Sequence, residues 1–163
     1  MEPELPVEAV ELADAAQRAI DALGGVDLAR RAEADPLVRS TEVAPVLERL
    51  GLDDLDPRAD ATSLAAAAAV CEVAGRASLP YPLAAALVRD PDGRPTACIP
   101  TAAPRVDHAT LFERWRVGSL DGAIGGVGSS VEGGLGTRLG RFVGDLSLDP
   151  AGGSPPTADL LLQ

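Results

Sequence analysis

The spacing of apolar residues changes near Arg89, and this change limits the possible folds more than any other feature of the sequence. Before it, apolar residues recur every three or four positions, the period of helices with one buried face. After it, short apolar stretches alternate with polar residues between glycines and prolines, the pattern of strands with one buried side. The sequence therefore predicts an α+β protein: an N-terminal all-α helical bundle over residues 1–90, a small antiparallel β domain over 91–150 and a loose tail over 151–163.

Helical spacing, and the glycines and prolines that interrupt it, predict five helices before residue 90. They lie at Val7–Leu23, Asp27–Ala34, Ser40–Leu50, Ala61–Ala77 and Pro82–Val88. In the first helix, Val7, Val10 and Ile20 are expected on the buried face. Pro80 and Pro82 separate the last two helices, because a residue before proline is disfavoured in the helical conformation.

The helix Ala61–Ala77 carries a stripe of mostly small residues. Leu64, Ala68, Cys71 and Gly75 recur on one helical face. Since small side chains let two helices approach closely, this stripe is expected to contact another helix. Replacing Gly75 by leucine is then expected to destabilise the protein by about 2 kcal/mol or more, through overpacking. Cys71 is interpreted as a small buried apolar group rather than as a reactive thiol.

Alternation of apolar and polar residues predicts strands after residue 90. They lie at Thr96–Ile99, Leu111–Val117 and the segment that contains Phe142, Leu146 and Leu148. The glycine-rich stretch Gly122–Arg138 is expected to form flexible β-turns. It does not fit the G-x-G-x-x-G pattern of a phosphate-binding loop, because Val131 and Leu139 stand where the third glycine is required.

Charge and aromatic content exclude several classes of function. The chain has a net charge of −11, its 14 basic residues are all arginine, and only 2% of its residues are aromatic. Nucleic-acid binding is not expected, because it needs clustered cations and stacking rings. The lack of lysine excludes a Schiff-base mechanism and a lysine-bearing P-loop. Membrane insertion is not expected either, since no apolar run approaches the roughly 20 residues that a spanning helix needs.

Cysteine and histidine content argues against a metal site and against a catalytic triad. Cys71 and Cys98 are the only cysteines, and their wide spacing indicates reduced thiols and a cytoplasmic location. One histidine and two distant cysteines do not make a metal site. No nucleophile-elbow motif supports a triad of His108 with the nearby serine and carboxylates, which are Ser119, Asp107 and Asp121. Glu72 is a conceivable base, but most of the 25 carboxylates are expected at the solvated surface.

Three motifs in the helical half occur in a characteristic order. They are the corner Leu50-Gly51-Leu52, the E-x-x-G-R element at Glu72–Arg76 and the proline-flanked corner at Leu79–Leu83. In this order they resemble the N-terminal helical domain of the acyl-CoA dehydrogenase family. The resemblance covers roughly residues 5–125, and it is weaker in the second half, where ACIPT at Ala97–Thr101 and WRVGSLDGA from Trp115 resemble the family's middle β domain.

The resemblance implies a flavin-dependent context. Members of the family join a helical domain, a β domain and a C-terminal four-helix bundle, and the bundle supplies the catalytic glutamate and many FAD contacts. Neither that bundle nor the glutamate has a counterpart among the 163 residues, so no catalytic residue is assigned. The threonine-glutamate-proline, glycine-rich flavin segment of the family's β domain is absent as well, and Thr101, as a conceivable remnant of it, is the one candidate for a cofactor-binding residue.

Two functional hypotheses follow from the resemblance. In the first, the chain is a subunit that contributes to FAD-dependent acyl-CoA α,β-dehydrogenation only with a longer acyl-CoA dehydrogenase-like partner, and it is inactive alone. In the second, it is a non-catalytic interaction or scaffold module that self-associates or binds another chain without flavin or substrate. Binding of acyl-CoA by the isolated chain is a weaker third hypothesis, because an acidic, lysine-free chain repels the phosphates of CoA.

Overall fold

The computed structural model describes residues 5–99, 105–119, 125–131 and 143–149. These ranges contain both helices and strands, so the α+β class that the change in periodicity predicts is confirmed. The chain divides into two compact units, Met1–Leu87 and Val88–Gln163. This boundary lies within a few residues of the one near residue 90 that the sequence predicts. The described helices of regular α type all lie in the first unit, and the described strands all lie in the second.

Five α-helices form the described part of the first unit. They are α1 (Val7–Asp21), α2 (Gly25–Ala34), α3 (Ala44–Arg49), α4 (Ala61–Arg76) and α5 (Leu83–Leu87). A π-helical turn, Arg39–Val43, leads into α3, and a 3-10 turn, Leu52–Asp54, follows it. Each predicted helix is present, but the third one starts as a π-helical turn rather than as regular α-helix. Among the described helices, none has the length and apolarity that crossing a bilayer requires.

The ends of these helices follow from a few local interactions. Gly51 ends the α3 segment with a φ of +73°, a left-handed conformation that glycine adopts without steric cost. Asp60 caps α4, because its carboxylate accepts a hydrogen bond of 2.7 Å from the backbone N–H of Ser63. At the other end of α4, Ser78 has a φ of +54° and the N–H of Leu79 donates to the carbonyl of Ala74 at 2.9 Å. This pattern is a Schellman cap, and it makes the corner before α5.

Helices α1 and α4 make the main contact of the helical unit. Helix α1 buries Ala9, Ala16 and Ile20. Helix α4 buries a larger set of small and β-branched side chains, namely Ala66, Ala67, Ala69, Val70, Val73 and Ala74. Because alanine dominates both faces, the core of this unit is built by close packing of small side chains rather than by aromatic rings.

The buried face of α4 is not the one that its small-residue stripe predicts. Leu64 is 40% exposed, Ala68 and Gly75 are exposed, and Cys71 is half-buried. A Cβ atom built on Gly75 meets no atom within 4 Å, so there is no helix crossing for a leucine to overpack. The predicted crossing at Gly75 is therefore wrong. Alanine occurs on every side of this helix, so residue size alone does not distinguish its buried face.

Five strands form one sheet in the second unit. They are β1 (Thr96–Cys98), β2 (Arg105–Asp107), β3 (Arg114–Gly118), β4 (Gly125–Val131) and β5 (Val143–Asp149), in the order β1-β3-β4-β5-β2. Strand β1 is parallel to β3, while the other three pairs are antiparallel. The sheet is therefore mixed, and the prediction of an antiparallel domain is wrong at β1. Strands β1 and β3 are parallel because the chain does not connect them by a hairpin. Between them it forms β2 at the opposite edge of the sheet.

The central strand β4 comes from the glycine-rich stretch that the sequence assigns to turns. It lies between β3 and β5 and pairs with both. A Cβ atom on Gly128 would lie 3.1 Å from Cδ2 of Leu148 and 3.2 Å from Cβ of Leu146, so the glycine leaves room for two leucines of β5. This requirement is set by a neighbouring strand and is not visible in the local sequence. The rest of Gly122–Arg138, like Phe142, lies outside the described residues.

Trp115 anchors the core of the sheet unit. Its ring is almost fully buried, its Nε1 donates a hydrogen bond of 3.0 Å to the carbonyl of Ala109, and it meets Phe112 edge to face at 5.2 Å between ring centroids. Trp115 and Val117 are buried as the alternation predicts. Leu111, expected in the same strand, instead ends the 3-10 turn Ala109–Leu111 between β2 and β3.

Candidate docking surface

The residues of the hypothetical Ser-His-Asp triad lie at opposite ends of the sheet. Ser119 follows β3 at the end where β4 begins. His108 follows β2 at the end where β5 begins. Strands β4 and β5 are antiparallel, so the start of β5 lies far from the start of β4. A strand of this length spans roughly 20 Å, which keeps the histidine and the serine apart and excludes a triad that contains both.

The candidate cofactor contacts do not form a described flavin site. Thr101, the candidate FAD contact, lies outside the described residues, as does Asp121. In the glycine-rich segment, β4 pairs with β3 over residues 125–129 and with β5 over residues 127–131, so residues 127–129 lie between two strands. A phosphate cradle needs several N–H groups that point at one ligand, whereas successive N–H groups of an extended strand point to opposite sides, so residues 125–131 do not form such a cradle.

The other chemically versatile side chains have structural roles or ordinary surroundings. Burial raises the pKa of the half-buried Cys71 thiol, which disfavours the nucleophilic thiolate form. Glu72 forms an ion pair with Arg76 one turn further along α4, on the exposed surface. Within the described ranges, no group of three or more histidine, cysteine or carboxylate side chains is arranged to hold a metal ion.

Two buried charges stabilise the turns that contain them. Arg39 opens the π-helical turn, its Nε donates to the carbonyl of Pro36 at 3.1 Å, and burial lowers its pKa. Asp90 accepts hydrogen bonds of 2.7–3.0 Å from the N–H of Asp92, the N–H of Arg94 and Nε of Arg94. The predicted turn after Arg89 is thus held by one buried carboxylate, and neither charge points to a reaction.

Exposed large apolar side chains are concentrated in the helical unit. Six of the seven in the described residues lie there, and the seventh is Val131. The six are Leu5, Val7, Val10, Val26, Leu37 and Leu64. Val7 and Val10, expected in the core, are 68% and 43% exposed, so their assignment to the buried face is wrong. Scattered single apolar side chains are ordinary at a protein surface, so only those that lie side by side point to a place where another molecule binds.

Helix α1 has one face that is both apolar and acidic, which we call the α1 outer face. It lies opposite the face that packs on α4, and its exposed members share helical spacing: Val7, Val10, Glu11, Asp14, Arg18 and Asp21. Val7 and Val10 are three residues apart and therefore adjacent on the surface, with Leu5 just before them. The sequence does not predict this face, because the residues that are buried in place of Val7 and Val10 include Ala9 and Ala16. Alanine is too small to give a strong periodic signal.

No protein family, curated protein or solved structure matches the chain. The relationship to acyl-CoA dehydrogenases therefore stays a prediction from three motifs. These motifs lie at helix ends: Gly51 follows α3, Glu72–Arg76 ends α4, and Leu79–Leu83 makes the corner into α5. The described residues thus offer a surface for association as their clearest functional feature.

Proposed function

We propose that this chain is a cytoplasmic docking subunit that contributes to FAD-dependent acyl-CoA α,β-dehydrogenation only when bound to a longer chain. The observation that carries the docking role is the number of exposed large apolar side chains on the helical unit, with Val7 and Val10 one turn apart on the same side of its first helix. Such a cluster favours association, because burying it removes apolar surface from water.

The choice of partner and of reaction rests on the family resemblance. Gly51, Glu72–Arg76 and Leu79–Leu83 stand in the order found in the family's N-terminal helical domain. We therefore propose that the helices of the first unit form the corresponding antiparallel bundle. In this proposal the longer chain supplies the flavin and the carboxylate that removes the α-proton of the thioester, as the family's C-terminal bundle does.

The strength of docking can be estimated from the two valines. The exposed surface of Val7 and Val10 together is about that of one whole valine side chain. Burial of one such side chain contributes roughly 1.5–2 kcal/mol. Loss of both side chains is therefore expected to weaken binding by about tenfold or more.

Dye-linked oxidation of acyl-CoA tests the proposal. The assay compares the isolated chain, the longer flavoprotein that its tagged form captures, and the mixture of the two. We expect no turnover by the isolated chain above the free-flavin background, and we expect the mixture to exceed the longer chain alone. The double variant Val7→Ser/Val10→Ser is expected to lose this increase. Leu37→Ser, which removes a 66% exposed apolar side chain elsewhere on the same unit, is the matched control and is expected to keep it.

The alternative outcomes separate the two functional hypotheses. Turnover by the isolated chain would refute the subunit role. A stable complex that holds no flavin and oxidises no acyl-CoA would refute the dehydrogenase role and favour a non-catalytic interaction module. Equal losses in the valine variant and in the leucine control would refute docking through α1.

A further inference from the structure

We infer that the α1 outer face binds a positively charged amphipathic helix of a partner chain. This inference depends on the proposed docking role and specifies the chemistry of the segment that docks. It rests on the order of side chains along the face, on their charge and on the closed backbone of α1.

The α1 outer face has an apolar end and an acidic end. Val7 and Val10 lie in its first turn, and the carboxylates of Glu11 and Asp14 continue the same surface. Among the described residues, neither Glu11 nor Asp14 has an ion-pair partner. Arg18 is the one basic side chain on the face against three carboxylates, so the face carries a net negative charge.

The backbone of α1 favours a helix as its partner. A 15-residue helix is about 22 Å long, and its interior N–H and C=O groups are bonded to one another. It therefore offers side chains rather than free backbone groups, unlike the edge of a sheet. A partner segment must satisfy its own backbone while it lies along this face, and a helix does so. Its matching face carries apolar groups at one end and arginine or lysine beyond them.

The overall charge favours the same partner. The chain has a net charge of −11, which attracts a basic segment over a distance and accelerates its association. The same charge opposes a second copy of this chain on the α1 outer face, because like carboxylates would be brought together. A basic segment of a different chain is therefore the occupant to which the observations point.

Two synthetic helical peptides provide the probe. Both have leucines at positions i, i+3, i+4 and i+7, and one has arginines on the flanks while the other has glutamates. Fluorescence anisotropy of the labelled peptides is measured against the full chain at increasing salt. We expect the basic peptide to bind, the acidic one not to bind, and salt to weaken the binding because it screens exposed charges.

Charge-matched variants locate the binding surface. An acidic protein attracts any basic peptide weakly, so Glu11→Arg/Asp14→Arg is compared with Glu48→Arg/Asp54→Arg, which alters two exposed carboxylates on another part of the unit by the same charge. We expect the α1 variant to weaken binding of the basic peptide by about tenfold or more, and the control by less than about twofold. Circular dichroism confirms that both variants keep their helices.

Several results would overturn the inference. They are equal losses in the two double variants, equal binding of the two peptides, binding of neither peptide, and salt-resistant dimers of the chain that Glu11→Arg/Asp14→Arg dissociates. Peptide binding at α1 in a chain that never supports acyl-CoA oxidation would refute the enzymatic role and leave this inference standing. Oxidation by the mixture without binding of the basic peptide would refute only the inference.

Discussion

A single methyl group at Gly144 is expected to destabilise the sheet unit. A Cβ atom on Gly144 would lie 2.5 Å from the Cβ of Ala109, whereas carbon atoms in contact lie about 3.5–4.0 Å apart. The turn Ala109–Leu111 or strand β5 must therefore move by about 1 Å. Ala109 is fully buried and its carbonyl accepts the hydrogen bond from Trp115. A shift of the turn that contains Ala109 would therefore weaken this hydrogen bond or disturb the packing around Ala109. Because overpacking of a core costs about 1–3 kcal/mol, we expect Gly144→Ala to lower the free energy of unfolding by about 2 kcal/mol.

Gly75→Ala is the matched control for this change. It adds the same methyl group at an exposed position near the end of α4, where the new Cβ meets nothing within 4 Å. Alanine is favoured over glycine inside a helix by about 0.8–1.0 kcal/mol, and less near its end. We therefore expect Gly75→Ala to leave the free energy of unfolding unchanged or to raise it by up to about 1 kcal/mol.

Urea unfolding measures both variants. Fluorescence of Trp115 reports on the sheet unit, because this residue is the only tryptophan, and circular dichroism reports on the helices. We expect Gly144→Ala to move the fluorescence transition to lower urea, and Gly75→Ala not to lower the helical transition. A change below about 0.5 kcal/mol for Gly144→Ala, which is the usual scatter of a surface substitution, would refute the close approach of Gly144 and Ala109.

Two further predictions concern titrating groups. The hydrogen bond from Ser63 lowers the pKa of Asp60, so the stabilisation from this cap is present above the ordinary pKa of a carboxyl and is lost as the pH falls through the lowered value. Asp60→Ala is therefore expected to reduce the urea midpoint at neutral pH and to reduce it much less at about pH 2. An equal reduction at both pH values would contradict the cap. Burial raises the pKa of the Cys71 thiol. In a Cys98→Ser background, alkylation of Cys71 at about pH 8 is therefore expected to be slower than alkylation of glutathione and to become faster in urea. Alkylation of the folded protein at the same rate as glutathione would contradict the burial.

The helices were predictable because their boundaries are encoded locally. Gly51 needs no distant partner to adopt a left-handed conformation, and Pro80 and Pro82 interrupt a helix in any context. The face of α4 was not predictable in the same way. Its stripe of Leu64, Ala68 and Gly75 has helical spacing, but alanine occurs all round the helix, and contact with α1 decides which side is buried.

The sheet shows a different limit. Strand β4 is rich in glycine, which favours turns locally, but it pairs with β3 and β5, and Gly128 leaves room there for two leucines of β5. The parallel pairing of β1 with β3 likewise depends on where the chain goes between them, which no local pattern encodes. Non-local pairing therefore outweighed local preference at both places.

The sequence does not predict the candidate surface, because the spacing of Val7 and Val10 is that of a buried helical face. Their spacing fits a buried face, but Ala9, Ala16 and Ile20 fit one equally well, and the smaller side chains are the ones that α4 covers. The hypothesis of a catalytic triad is rejected both by the sequence and by the structure. The triad was rejected from the sequence for lack of a motif, and the register of the sheet rejects it again from the positions of His108 and Ser119.

The edges of the sheet have a consequence for the protein's behaviour at high concentration. Among the strands that the structure describes, β1 and β2 stand at the two edges, and each is three residues long. A foreign strand that aligns with either one gains only a few backbone hydrogen bonds, and β2 covers only residues 143–145 of the seven-residue β5. The described edge therefore changes from β2 to β5 part of the way along, and a foreign strand that lies straight against it can pair with only one of the two at a time.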